Sequence, residues 1–95
     1  MTNSPPQPTL DFYRRDGCEP CVEAREALQA VLEERARRGD RIPRVRYRDV
    51  AESPALESAF GARVPVMAIG ADELSLAVSE RSIATFLDRV LGRVA

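Results

Sequence analysis

Ninety-five residues, 44% apolar and 31% charged, suffice for one domain with a modest core and leave no room for a second. A net charge of −1, with 14 basic residues that are all arginine against 15 acidic ones, argues against a nucleic-acid partner, which a basic excess would attract. No apolar run has membrane-spanning length, and residues 1–8, MTNSPPQP, lack the charged start and apolar stretch of a signal peptide, so a monomer in the cytoplasm with no membrane partner is expected.

The first eight residues read as a disordered arm, followed by a domain over residues 9–95. Thr9–Tyr13 is a short strand, with Leu10 and Phe12 on one face and Asp11 turned to the other as a solvated residue. From Cys21 to about Arg38 the period becomes helical. Ala24, Ala27, Leu28, Val31 and Leu32 form its apolar stripe, and the charged turns Glu33–Arg38 are expected in solvent, with Gly39 as the stop.

Arg44–Val50 alternates arginine with Val45 and Tyr47, the pattern of a half-exposed edge strand. Ser53-Pro54 starts a short helix to Phe60, with Gly61 expected to end it. Val64–Ile69 is a continuous apolar strand, Gly70-Ala71-Asp72 a turn, and Glu73–Val78 its return strand. Ser79 caps a last helix whose stripe is Ile83, Phe86, Leu87, Val90 and Leu91, with Gly92 at its end. The order is β-α-β-α-β-β-α.

The only two cysteines fall where the first strand hands over to the first helix, in DGCEPC, Asp16–Cys21. A helix start presents unpaired N–H groups and partial positive charge, which favour a thiolate. Such placement lowers a cysteine pKa from ~8.5 to roughly 3.5–7.5. Cys18 is the exposed nucleophile in this reading and Cys21, a turn deeper, resolves the mixed disulfide. Pro20 suits the first helical turn, where its missing N–H is not needed. Arg15 favours the Cys18 thiolate, whereas Asp16 and Glu19 oppose it, and Glu19 is expected to make the pair more reducing.

Arg63-Val64-Pro65 opens the third strand. A proline there fits an ordinary strand start. A cis Val64-Pro65 bond is the sharper reading, and it would present the Val64 N–H and C=O to a substrate strand.

Together FYRRDGCEPC (Phe12–Cys21), the Val64-Pro65 pair and the element order resemble the thioredoxin-fold superfamily, and within it the glutaredoxin-like branch, over about Thr9 to Gly92. The resemblance implies an α/β fold of glutaredoxin size, a mixed four-stranded sheet flanked by three helices. It implies that Cys18 is the nucleophile, Cys21 the resolving thiol and Pro65 the cis-proline. Tyr13 and Arg15 match the family's aromatic and basic positions, with Arg15 contacting an anionic substrate. The implied activity is reduction of protein disulfides or glutathionylated substrates. No bound cofactor or metal is implied, and electrons would come from glutathione or a thioredoxin-reductase-type flavoprotein.

The chain departs from glutathione-binding members. Its dipeptide is Glu19-Pro20, Arg63 stands where threonine is usual, and Leu76–Arg81 contains no glycine. Arg63 and the start of the last helix could still attract carboxylates, against Glu80. Alternatives stay open at this level. The pair could be two buried structural cysteines or a Cu(I) site in a metallochaperone. The chain could also be a non-enzymatic module that docks partners through Arg44–Arg48, or an iron–sulfur-bridged dimer. Zinc within one chain lacks ligands, because there is no histidine and no second cysteine pair.

Overall fold

The computed structural model describes residues 7–94; residues 1–6 of the expected arm lie outside the described residues. The strands are β1 (Thr9–Arg14), β2 (Arg44–Asp49), β3 (Val66–Ile69) and β4 (Asp72–Ser75), and the helices α1 (Glu19–Arg38), α2 (Pro54–Phe60) and α3 (Glu80–Leu91). The sheet order is β2-β1-β3-β4. Parallel pairing runs from Thr9↔Arg44 to Arg14↔Asp49, and both other ladders are antiparallel. The result is a mixed sheet with three helices, the thioredoxin-like arrangement, and β2 is an edge.

Alternation along β1 divides the interior. Leu10 and Phe12 join Met67, Ile69, α1 and α3 in the larger core. Tyr13 joins Val50, Val66 and Ala68 beneath Leu56 and Phe60 of α2 in the smaller one. Among the described residues, no helix is long and apolar enough to cross a membrane.

Several boundaries differ from the sequence reading, each for a local reason. Helix α1 begins at Glu19, with Cys18 as N-cap. Strand β4 stops at Ser75 because Leu76 turns left-handed, φ 52°. That turn drops Ala77 into the core, where its N–H bonds the Pro65 C=O at 3.0 Å. Gly61 does not stop α2 by a left-handed turn. Its φ of −55° is helical, and the chain runs on into a 3-10 turn, Gly61–Arg63. Gln7 and Pro8, expected in the arm, are fixed: the Gln7 amide donates to the Ile42 C=O at 2.8 Å and Pro8 C=O accepts from Arg44 N–H at 2.7 Å.

The largest correction is Arg35, expected in solvent and found 1% exposed. Its guanidinium is fully engaged: Nε donates to the Arg41 C=O at 2.8 Å, and the two terminal nitrogens to Asp88 at 3.0 Å and the Gly92 C=O at 2.8 Å. Beside it, buried Asp40 accepts from the Val94 N–H at 2.6 Å and pairs with Arg38 at 2.7 Å. Those two bonds hold its carboxyl below the usual carboxylate range, the Val94 N–H foremost.

Candidate functional site

Strand β1 ends at Arg14, and Gly17 takes φ 73°, a left-handed turn that glycine adopts without a Cβ penalty. That turn places Cys18 at the N-cap of α1. Its side chain accepts from the Cys21 N–H at 3.1 Å, the bond that serine or aspartate would accept at an ordinary N-cap. Cys18 and Cys21 are joined as a disulfide with Cα atoms 5.2 Å apart. The two sulfurs are not equivalent. Cys18 is partly exposed, while Cys21 is 4% exposed. Glu19 and Pro20, between them, are exposed, with Pro20 in the first helical turn.

Both cysteines line an open cleft of about 610 Å³ between the start of α1 and the β2 edge. Phe12, Tyr47 and Val22 give it an apolar surface, and Arg14, Arg15 and Arg25 give it cationic walls. Sequence reasoning missed Val22, Arg25 and Tyr47. The signal was there in part, since Arg25 follows Cys21 by four residues and so shares its helix face.

Arg15 is in the cleft, but its charge is already engaged. It pairs bidentately with Glu57 of α2, at 2.6 and 3.0 Å, and also donates to the Gly61 C=O at 3.0 Å. Each partner favours the other's charged form: the Glu57 carboxyl is held below its ordinary value and the Arg15 guanidinium above its own. Arg63 is not among the residues that line this cleft, and its charge is engaged too, bonding Glu73 at 2.8 Å, Ser75 at 2.6 Å and the Ala59 C=O. Neither arginine is a free cation awaiting a carboxylate.

Tyr13 is 8% exposed and stacks on Phe60 with ring centres 3.9 Å apart, on the opposite face of the sheet from Phe12. Burial, and then the Asp11 charge, raise its hydroxyl pKa, so it stays neutral. Asp11 itself is not simply solvated. Arg46, its register partner on β2, donates to it at 2.6 and 3.2 Å.

The Val64-Pro65 peptide is cis. Pro65 is buried, and the flanking carbonyls of Arg63 and Pro65 accept from Leu76 and Ala77. Among the described residues, Val64 makes no backbone hydrogen bond outside the regular elements. Among the same residues, no three of His, Cys, Asp and Glu are grouped to hold a metal ion.

Residues 9–88 match the family model described as "Glutaredoxin-like domain (DUF836)". Among solved structures, protein XcR50 from X. campestris is 30% identical, with 85% of this chain and 97% of that one covered and a TM-score of 0.69. A malarial protein shares the fold at 12% identity, over 90% and 99% of the two chains, with a TM-score of 0.64. No curated protein matches significantly.

Proposed function

Because the chain belongs to the glutaredoxin-like domain family, we propose that it is a thiol–disulfide oxidoreductase that reduces protein disulfides or mixed disulfides through Cys18 and Cys21. One observation carries the reading: two bonded sulfurs at a helix start, one partly open to a cleft and the other buried behind it.

The cycle begins with the pair reduced. The Cys21 N–H and the start of α1 stabilise the Cys18 thiolate. That thiolate attacks one sulfur of the substrate disulfide, forms a mixed disulfide and expels a thiolate that takes a proton from water. Cys21 then loses its proton, attacks the Cys18 sulfur and releases the second substrate thiol. The substrate gains two electrons and two protons, and the protein is left as the disulfide. Val64 offers its backbone N–H and C=O to the substrate chain beside the cis proline. Glutathione or a thioredoxin-reductase-type flavoprotein returns the electrons, and a cytoplasmic setting keeps the pair reduced.

Arg15 does not bind the substrate anion in this reading, because Glu57 already holds it. Arg63 and Tyr13 act as supports, Arg63 bracing the turn before Pro65 and Tyr13 carrying α2. Reduction of insulin with dithiothreitol, and of a glutathione mixed disulfide coupled to glutathione reductase, tests the proposal against Cys18→Ser. Turnover in the wild type that falls to the blank in the variant is the expected result. No turnover in either assay would overturn it.

A further inference from the structure

Seven residues after Cys18, α1 carries an arginine that the thiol chemistry leaves unused. Arg25 is exposed, and among the described residues no carboxylate pairs with it. Its guanidinium carbon lies 5.1 Å from the centre of the Tyr47 ring on β2, a cation held over an aromatic face. The other two arginines in the cleft are neutralised from within: Arg14 by Asp16 at 2.6 Å and Asp49 at 3.5 Å, Arg15 by Glu57. Arg25 is therefore the cation in this wall that an outside anion can reach.

The open surface continues past the cysteines. Val22 and Arg25 also border a second hollow of about 430 Å³, shared with Glu26 and Gln29. From Cys18 to Gln29 the helix covers about 16 Å, the span of about five residues of extended chain. That length suits a polypeptide better than a small thiol compound. Val22, 58% exposed, and Tyr47, 44% exposed, supply apolar contact along it.

We propose that this groove receives the polypeptide flanking the disulfide of a protein substrate, with Arg25 over Tyr47 selecting an acidic side chain about three residues from the disulfide cysteine. The identity of that substrate rests on the oxidoreductase reading. The spacing follows from the helix: Arg25 lies about 10 Å along the axis from Cys18, or about three extended residues. Glu19 and Glu26 mark the limits of the site. Glu19, next to Cys18, disfavours an acid adjacent to the disulfide, and Glu26 disfavours a continued acidic run.

The test uses short peptides with serine in place of the disulfide cysteine, so that binding is read without chemistry. One carries Glu three residues from that serine; the other carries Gln. The wild-type protein is expected to bind the Glu peptide about two- to five-fold more tightly, as for one exposed charge pair. Arg25→Gln removes that preference and Arg25→Lys retains most of it. Equal binding of both peptides by the wild type, or a preference that survives Arg25→Gln, overturns the inference. Reduction of insulin and of a glutathione mixed disulfide is followed in parallel. The absence of both would overturn the oxidoreductase reading, whereas the peptide preference alone decides the groove.

Discussion

Gly61 matters for the room it leaves the Arg15–Glu57 pair and not for its backbone angle. A Cβ placed there would collide with the Glu57 carboxylate and touch the Arg15 guanidinium. Gly61→Ala is therefore expected to push Glu57 off Arg15, and Glu57→Gln to weaken the same pair without a steric change. Either variant frees the Arg15 charge beside Cys18. Kinetics should show a several-fold rise in kcat/KM for an anionic mixed disulfide relative to a neutral one. An unchanged ratio in both variants would mean that Arg15 does not face substrate at all. The pH sign follows from the lowered Glu57 pKa. Its stabilising effect is present above the ordinary carboxylate range and is lost as pH falls through the lowered folded value.

In the proposed cycle Glu19 opposes the Cys18 thiolate on the reduced side of the couple. Glu19→Gln should make the reduction potential less negative, by roughly 10–20 mV for an exposed charge near a two-electron centre. Equilibration against a glutathione buffer measures it, and a shift in the negative direction would refute the assignment.

The ends of α1 and α3 are held together by polar contacts at Arg35 and Asp40. Arg35→Met would strip the Arg41 and Gly92 carbonyls and Asp88 of their donor. The expected loss is about 2–4 kcal/mol in chemical denaturation, since breaking a buried pair leaves polar groups unpartnered. Asp40 contributes through a lowered pKa, so its stabilisation is complete above the usual carboxylate range and disappears as pH falls below it. Asp40→Asn should therefore flatten the acid limb of the stability curve, read as midpoint against pH. None of this was legible in the chain. Glu33–Arg38 has the composition of a solvated helix end, and it is the return of Asp88 and Gly92 from more than fifty residues away that makes Arg35 an interior residue, as Val94 does for Asp40. Apolar period and capping chemistry act over a few residues and set the elements. The partner of a buried charge is set by packing, and a single sequence carries no local sign of it.

The sheet separates two interiors of unequal strength. Leu28 lies in the larger one, 1% exposed, and Leu28→Ala should cost about 2–5 kcal/mol. Helix α2 is held more lightly, with none of its seven residues buried. Its amides should exchange with solvent faster than those of α1 or α3 in native-state hydrogen exchange, and slower exchange there would contradict the packing. The site divides along the same line. Cys18, Cys21 and Pro65 were legible because a helix start and a proline-led strand are local patterns. The pairing of Arg15 with Glu57 and the Arg25–Tyr47 contact were not, because each joins elements distant in the chain.

The outer rim of β2 has a consequence for handling the protein at high concentration. Arg44, Arg46 and Arg48 line backbone groups that bond β1 on one side only, Arg46 paired with Asp11 and Arg48 4.0 Å from Glu52. An open border of that kind invites another copy to add on, and charged side chains along it keep the copy away. Neutralising the three arginines together should turn a clear solution into one that seeds fibrils, a change that thioflavin fluorescence would register.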